Sequence, residues 1–580
     1  MLYELVDLAG QLQNQKKLPP ASYKPRSITW LIDLTDEQPQ LLGPFKKGEY
    51  RAVEAPDRQR SGKVSKDNVK PYLLLDDARY VLGIPEDGKS EEAQLMHEGF
   101  TQILEDAYEV TGDEDLARII DFCRQPIPEK FRKKIKARHS VTFQTDRQIL
   151  PFEKPAIQNF WKEYLSANIL SEDDAECSVC GEKKPYVRYI PNPVIVYGQS
   201  CQLTSFNKPS FVSMGKSQTN NVPVCFSCST KTVDTLNYLI RHAHHHATLV
   251  YKERDTLHSE MAVYWLDQVE NIEQNGISVN ESVIASLVQV IFDEETKRRL
   301  PPPELGQLQE LIWMPRSGRE QSLRLDQNFF HMGILSANKG RLVIREWIDT
   351  SVLHLLDHLK RYVEAIRIVH PTGEENHLQT LPIFLQALES SDANLVRQMV
   401  RTIYQGYAPP KQVQALALDR FRLPKVLTDK KETWRYAALA SLLKLSLTYG
   451  KEEAVNMETL NLTNQTAPYL CGRLLAVLEE IQQRATGFKI GSTIVQRYYG
   501  AASTAPSTTF GPLLRLTTTA HLPKVSVGMA RLLEAVMKEL DQHGGFPPTL
   551  SLAMQAEFAL GFYHQRAEFS SQRQKKQVEG

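Results

Sequence analysis

The first part of the chain mixes two kinds of hydrophobic pattern. Residues 28–32 and 72–75 are short apolar runs bounded by polar residues or proline, a pattern typical of β-strands. After Ser90, which we expect to cap a helix, apolar side chains recur at helical spacing from Leu95 to Tyr108. This part of the chain is therefore predicted to combine strands with helices.

Beyond about residue 350 the pattern becomes almost wholly helical, after a last predicted strand at residues 342–344. One apolar stripe runs from Val352 to Val363, and another runs from Met529 to Leu540 and stops at a Gly-Gly pair. Because one-sided apolar stripes are buried against other helices, the C-terminal part is predicted to be a helical bundle.

The length of 580 residues allows roughly three or four domains of about 150 residues. Apolar residues make up 42% of the sequence, enough for a sizeable core. The sequence shows neither a charged-then-apolar leader nor a run of 18 apolar residues, so we expect a cytoplasmic protein without a membrane span. In a reducing cytoplasm, paired cysteines hold metal more often than they form disulfides.

The strongest motif is a pair of cysteine knuckles, Cys177-x2-Cys180 and Cys225-x2-Cys228. Each knuckle supplies two thiolates from one tight turn, and two knuckles complete the tetrahedron that Zn²⁺ prefers. Four protein ligands leave no position for a reacting water, so the predicted site is structural. A redox-active pair is the weaker interpretation, because the two knuckles match and no βαβ context surrounds them.

Together these patterns predict an α+β protein. A mixed α/β N-terminal region with an inserted four-cysteine zinc module is expected to precede a C-terminal helical bundle. We expect four regions, and in chain order they cover residues 1–170, 171–350, 351–456 and 457–580.

The net charge is zero, with 69 basic and 69 acidic residues, which argues against a protein that coats nucleic acid alone. Two segments are nevertheless basic. Residues 46–70 hold eight basic and four acidic residues, and residues 124–138 hold seven basic and one acidic. Their lysines and arginines are either solvated surface residues or contacts to a phosphate backbone. The second segment contributes Lys130, Arg132, Lys133, Lys134, Lys136 and Arg138 as backbone-contact candidates.

A histidine cluster offers a different function. His242, His244, His245 and His246 follow a predicted helix, with His258 beyond them, and such residues could form the metal site of a nuclease or another hydrolase. The H-E-x-x-H arrangement is missing, as are phosphate-binding loops and a nucleophile elbow. We therefore favour a solvated turn and expect a protein that is not an enzyme.

The order of short motifs resembles one family, the large subunit of the subtype I-C CRISPR surveillance complex Cascade, a Csd-type CRISPR-associated protein. The matching segments are residues 19–20 with 28–30, 70–83, 203–207 with 215–218, 236–239, 341–347, 497–503 and 561–565. The family has asparagine where this chain has Tyr72, the loop 58–68 is longer here, and many members lack the four cysteines.

The resemblance implies a DNA-recognition subunit of an RNA-guided antiviral complex. Such a subunit reads a short flanking DNA motif, the PAM, and helps to separate the strands, while the guide RNA reads the target. The implied partners are the guide ribonucleoprotein with its backbone and handle-binding subunits, duplex DNA, small subunits and a recruited helicase–nuclease. The DNA-binding candidates are Arg58, Arg60, Lys63, Lys66, Asn68, Lys70, Asn207, Lys216 and Gln218. A purely architectural subunit that does not touch DNA is a third possibility.

The resemblance also implies that the small subunit is translated from an internal start. Met457 precedes the C-terminal helical segment, and residues 451–453, Lys-Glu-Glu, have purine-rich codons that can spell a ribosome-binding site. The predicted product covers residues 457–580 and carries 12 basic and 9 acidic residues. A slightly basic helical protein suits a position along displaced single-stranded DNA.

Overall fold

The computed structural model describes residues 1–580 except 21, 47–48, 52, 59, 61–62, 67, 207, 254–255, 268–271, 275–276, 280, 293–324, 373–378, 391, 452–455, 490 and 580. The chain divides into two compact units. The first comprises residues 1–242 and 336–343, and the second comprises residues 243–335 and 344–580. The four predicted regions remain a prediction about domain organisation.

The first unit combines short strands with helices, as predicted. Its strands are β1 (Tyr23–Arg26), β2 (Trp30–Asp33), β3 (Gln40–Leu42), β4 (Val53–Pro56), β5 (Asp76–Asp77), β6 (Ser140–Gln144), β7 (Leu170–Glu176), β8 (Lys183–Val187), β9 (Val194–Val196) and β10 (Gln199–Cys201). Its helices are α1 (Leu2–Asn14), α2 (Ala78–Leu82), α3 (Ser90–Thr111), α4 (Glu114–Arg124), α5 (Glu129–Arg132), α6 (Pro155–Ile169) and α7 (Phe226–Arg241).

A four-stranded sheet of order β3-β2-β6-β5 lies in the core of the first unit. The strands β2 and β6 are parallel, with Trp30 opposite Val141, and the other two pairings are antiparallel. The apolar faces of α3, α4 and α6 supply most of the remaining core, including the fully buried Phe100, Ile119 and Trp161.

Two local predictions in this unit are wrong. Residues 72–75 are not a strand, because Leu74 adopts a left-handed conformation with φ of 66° and the chain turns there. Leu73, Leu74 and Leu75 are all fully buried, so the apolar run reported burial and not extended pairing. Ser90 is the first helical residue of α3 and not its cap, and the cap position is Lys89, whose side chain makes no capping hydrogen bond.

The second unit begins with strands and continues as helices. Its strands are β11 (His246–Glu253), β12 (Thr256–Leu266), β13 (Ile272–Gln274), β14 (Ile277–Val279), β15 (Phe329–Asn338) and β16 (Arg341–Ser351), of which the tip of the β15–β16 hairpin is grouped with the first unit. Its helices are α8 (Glu281–Phe292), α9 (Val352–Ile366), α10 (Leu381–Leu388), α11 (Ala393–Gln405), α12 (Lys411–Phe421), α13 (Pro424–Thr428), α14 (Thr433–Thr448), α15 (Ala467–Ala485), α16 (Ile494–Ala502), α17 (Pro506–Leu516), α18 (Val527–Gln542) and α19 (Leu552–Glu579).

The helical prediction for the C-terminal part is confirmed. Within the described residues beyond Ser351 no strand occurs, and the predicted strand at residues 342–344 lies inside β16. The stripe from Met529 to Leu540 falls on α18, whose C-cap His543 directly precedes Gly544 and Gly545, both with positive φ.

The helices before and after residue 456 share one hydrophobic core. The helix α19 packs against α12, α14 and α15. It approaches α15 most closely where two glycines lie, since a Cβ on Gly472 would collide with the carbonyl oxygen of Phe558 and one on Gly561 with that of Tyr469. The two helices can be this close because neither glycine has a side chain.

Candidate metal centre and nucleic-acid interface

The two cysteine knuckles meet in space. The sulfur atoms of Cys177, Cys180, Cys225 and Cys228 all lie within 4.8 Å of one another. In a tetrahedral site with zinc–sulfur bonds of about 2.3 Å, the sulfurs would be about 3.8 Å apart. The donor set therefore fits a tetrahedral thiolate-bound metal ion, as the spacing of the cysteines predicted.

Different local structures present the two knuckles. The first lies in the turn between β7 and β8, where Gly181 has φ of 73° and its N–H donates to the carbonyl of Cys177 over 2.9 Å. In the second, Cys225 occupies the N-cap position of α7 and Cys228 lies in the first turn of that helix. The N–H of Ser178 donates to the carbonyl of Pro223 over 2.8 Å, which joins the two knuckles through the backbone.

The four sulfurs do not share negative charge equally. Donation from the Cys228 thiol lowers the pKa of Cys225 to about 5, and the same hydrogen bond raises the pKa of Cys228. Cys225 also lies at the N-terminus of α7, where the positive end of the helix dipole favours a thiolate. Cys177, Cys225 and Cys228 are buried, whereas Cys180 is exposed. A small apolar cluster that includes Val6 of α1 packs against them, so the centre connects the β7–β8 hairpin, α7 and the N-terminal helix.

The histidine cluster follows α7 in a turn that leads into β11, but the expected solvated turn is wrong in part, because His245 is buried and His246 is the first residue of that strand. The imidazole of His242 packs on the Tyr238 ring with centroids 3.9 Å apart, and its Nδ1 lies 2.8 Å from the Tyr238 carbonyl oxygen. His245 is buried, and its Nδ1 lies 3.3 Å from the carbonyl oxygen of Tyr264. In the described part of the chain the four cysteines are the one group of three or more side chains placed so that they could hold a metal ion, and it includes neither His244 nor His246.

The basic run at residues 130–138 is a surface feature. The buried side chains of Phe131 and Ile135 anchor it to the core of the first unit. All six predicted backbone-contact residues are exposed, namely Lys130, Arg132, Lys133, Lys134, Lys136 and Arg138. Two of them have acidic neighbours, since Lys133 lies 2.9 Å from Glu129 and Arg138 is paired with Glu86.

The basic residues of the loop 58–70 differ in how exposed they are. Lys63 and Lys66 are exposed, and the Asn68 amide donates to the Lys63 carbonyl over 2.8 Å. Lys70 is half-buried, and the guanidinium of Arg58 lies 5.8 Å from the ring centroid of Tyr164.

Arg60 instead faces inward. Its guanidinium is paired with the buried carboxylate of Asp76, and its Nε donates to the carbonyl of Lys70 over 2.6 Å. It also lies over the rings of Tyr72 and Tyr80, 3.5 Å and 4.1 Å from their centroids.

The sheet brings these two basic segments to neighbouring elements. Asp76, the partner of Arg60, lies on β5 and pairs with Val141 on β6. The basic run precedes β6 directly, and the carbonyls of Ala137 and His139 accept hydrogen bonds from the start of α2. Both basic segments therefore lie next to the β5–β6 pair, at one edge of the sheet.

The second group of DNA-binding candidates lies on a loop between β10 and α7. Lys216 and Gln218 are exposed, and Asn207 lies outside the described residues. Sequence reasoning missed Met214 at the tip of this loop, which is 98% exposed. The Met-Gly pair between Ser213 and Lys216 could have indicated this turn in the sequence. Apolar side chains are unusual at the two central residues of such a turn.

A family model described as CRISPR-associated protein (Cas_Csd1) matches residues 5–570. The chain belongs to this family. No curated protein matches the chain. The resemblance found in the sequence is confirmed, and so is the α+β fold class with its four-cysteine cluster.

Membership in the Csd1 family makes this chain a CRISPR-associated protein. Within the described residues, none of its helices combines the length and apolar character needed to cross a bilayer.

Proposed function

We propose that this chain is the large subunit of a cytoplasmic RNA-guided surveillance complex that recognises the PAM in duplex DNA and helps to separate its strands. The observation that carries the proposal is the family match across residues 5–570. The exposed basic run at residues 130–138 and the exposed lysines of the loop 58–70 support it, because a phosphate backbone needs accessible cations.

The mechanism divides the work among several molecules. Base pairing with the guide RNA reads the target, and this subunit reads only the short flanking motif. Lysines of the first unit neutralise phosphates and set the register of the duplex, whereas side chains such as Gln218 contact base edges. The guide ribonucleoprotein with its backbone and handle-binding subunits holds the RNA. Small subunits line the displaced strand, and a separate helicase–nuclease is recruited to cut.

In this proposal the chain itself is not catalytic, and the four cysteines hold a structural Zn²⁺. Four thiolates fill the tetrahedral coordination of zinc and leave no position for an activated water. The runner-up, a metal hydrolase that uses residues 242–246, needs several imidazoles directed at one point. His242 and His245 have their Nδ1 atoms next to different backbone carbonyls.

The test uses the assembled complex on duplex DNA with and without a PAM, at several salt concentrations. Alanine at Lys133 and Lys134 is expected to weaken binding to all sequences and to reduce the salt slope by about 0.9 for each phosphate that is no longer neutralised. Alanine at Lys411 and Lys431, exposed lysines of the second unit, serves as the matched control.

Two results would overturn the proposal. The first is binding by the unmodified complex that does not depend on the PAM. The second is cleavage by the complex alone that EDTA abolishes, since this would favour the metal hydrolase.

Gln218→Ala should change the preferred flanking sequence and leave the salt slope unchanged.

A further inference from the structure

A polar groove lies at the carboxyl ends of the two parallel strands β2 and β6. Thr35 and Asp36 follow β2, and residues 145–148 follow β6, so both loops reach the same edge of the sheet. They line a cavity of about 620 Å³, and a second cavity of about 430 Å³ shares Thr35 and Asp36 with it. In α/β proteins, ligands bind in the crevice beyond the carboxyl ends of the strands.

The two loops that form the groove are held by their own hydrogen bonds. The carboxylate of Asp33 accepts from the backbone N–H and from the hydroxyl of Thr35, over 3.0 Å and 2.7 Å. The carboxylate of Asp146 accepts from the N–H of Gln148 over 2.8 Å. Because both loops have internal hydrogen bonds at the edge of the sheet, the groove is formed before a ligand binds.

The groove carries an excess of negative charge. Five carboxylates line the two cavities, against three basic side chains. Lys154 is paired with Asp113 and Asp115. Arg147 lies 3.9 Å from Asp36. The excess of acids favours a cationic ligand and disfavours a phosphate. The five carboxylates are those of Asp36, Glu37, Asp115, Asp121 and Asp146.

A buried hydroxyl indicates that the groove has a specific ligand. Thr145 lines the larger cavity and is only 7% exposed. Its Oγ1 atom is buried and has no hydrogen-bond partner in the part of the chain that the structure describes. Such a hydroxyl destabilises the fold, because it has lost its hydrogen bonds to water. A ligand that donates a hydrogen bond from within the groove would provide the partner.

The positions of the carboxylates favour an extended cation over a metal ion. Among the described residues, the four-cysteine cluster is the one group of three or more side chains placed so that they could hold a metal ion. Asp115 and Asp121 lie on α4, about 9 Å apart along the helix axis. A chain that carries several ammonium groups can reach carboxylates that are separated in this way.

We propose that this groove binds a linear polyamine, an organic cation whose ammonium groups are separated by short methylene chains. One ammonium group donates to the hydroxyl of Thr145 and lies near Asp36 and Asp146. The next ammonium group extends along the groove towards Glu37 and Asp121. The inference goes beyond the proposed function and does not depend on it, because the binding requires no DNA.

The experiment measures the binding of spermidine to the purified full-length chain by isothermal titration calorimetry at low salt. Thr145→Val removes the hydroxyl and keeps the shape of the side chain, so affinity should fall about ten-fold while thermal stability does not decrease. Asp36→Asn removes one exposed carboxylate and should weaken binding by at most about five-fold. Asp173→Asn, at an exposed aspartate of β7 outside the groove, is the matched control and should bind spermidine like the unmodified chain.

Four results would overturn the inference. Equal binding by Thr145→Val and the unmodified chain would show only a general attraction to an acidic surface. Tighter binding of Mg²⁺ than of spermidine would assign the groove to a metal ion. The third result is the absence of spermidine binding by the unmodified chain. If the assembled complex with Asp36→Asn then lost a protein subunit, the groove would instead hold lysines of a partner protein. If Thr145→Val does not fold, equal binding by Asp36→Asn and Asp173→Asn is the fourth.

Discussion

The backbone N–H of Cys225 donates to the sulfur of Cys177 over 3.3 Å. This hydrogen bond links the second knuckle to the first. The N–H groups of Ser178 and Val187 also donate to carbonyls of the segment before α7, so backbone hydrogen bonds and the four-cysteine cluster together connect the β7–β8 hairpin to the start of α7.

The first prediction concerns the metal. Purified protein should contain one zinc per chain, and changing Cys177 and Cys225 to serine should yield insoluble protein, because zinc binding in small domains contributes about 10–16 kcal/mol. Elemental analysis and the soluble fraction measure both. Cys471→Ser is the control, since Cys471 is buried in the helical core and its variant should retain zinc. Soluble double-serine protein with a normal stability would contradict this prediction.

The second prediction separates two basic residues of the same loop. Arg60→Ala should lower the free energy of unfolding by about 3–5 kcal/mol, because the carboxylate of Asp76 would remain buried without its partner. Lys63→Ala should change stability by less than about 0.5 kcal/mol and should weaken DNA binding.

Denaturant titration and DNA titration of the two variants test this difference. Adding Asp76→Asn to Arg60→Ala should restore part of the stability, since the unpaired charge is removed. An Arg60→Ala protein as stable as the unmodified chain would show that the pair does not hold the loop.

The third prediction is a dependence of stability on pH. Burial lowers the pKa of His564 to about 3, and its Nδ1 lies 2.9 Å from the Tyr469 hydroxyl. In the unfolded chain the His564 imidazole is protonated below about pH 6.5, whereas in the folded chain it stays neutral down to about pH 3. The free energy of unfolding therefore falls as the pH drops from 6.5 towards 3. The loss should reach at most about 1.4 kcal/mol per pH unit. Unfolding of His564→Gln, measured from pH 7 to pH 4, should show a smaller decline, and an unchanged slope would refute the assignment.

The fourth prediction concerns Met457. The internal start remains a prediction, and of residues 451–453 the structure describes only Lys451. Met457 is buried in the core, and Met457→Leu should cost less than about 1.5 kcal/mol because the volume is conserved. Combined with synonymous recoding of residues 451–453, it should preserve the full chain and remove a product of residues 457–580. Recoding alone, with Met457 kept, is the control that separates the start codon from the ribosome-binding site.

The separate product would lack contacts that this segment makes in the full chain. Tyr563 donates to the carbonyl of Val369 over 2.6 Å, and Arg566 donates to that of Leu427 over 2.8 Å. Both carbonyls belong to the part before residue 457. We therefore expect the isolated product to be less stable than the same segment within the full chain.

The sequence predicted those features that depend on repeated or paired residues. The apolar stripe on α18 was sufficient to predict the helix, because several apolar residues at helical spacing all indicate the same buried face. The four-cysteine cluster followed from two C-x2-C spacings, whose turn geometry is local. The strand predicted at residues 72–75 was wrong because a buried turn and a buried strand have the same apolar sequence pattern. The left-handed conformation of Leu74 cannot be recognised from the residue type.

The roles of single side chains could not be predicted in this way. Arg60 and Lys63 look alike along the sequence, and only the position of Asp76, sixteen residues from Arg60, makes one of them structural. The exposure of Met214 likewise depends on a turn that a single Met-Gly pair announces only weakly.

Because the first unit includes residues 336–343, which follow residues 243–335 of the second unit, the order of the chain also constrains co-translational folding. Gln202 donates to the carbonyl of Gly340 and accepts from the N–H of Leu342, and all three residues belong to the first unit. A nascent chain that emerges from the ribosome in order has to release residues 243–335 before this hairpin tip arrives. The first unit, with its four-cysteine cluster and its basic surface, is therefore completed only during synthesis of the second. In a ribosome complex stalled before residue 336, the backbone groups of Gln202 would lack their partners at residues 340 and 342.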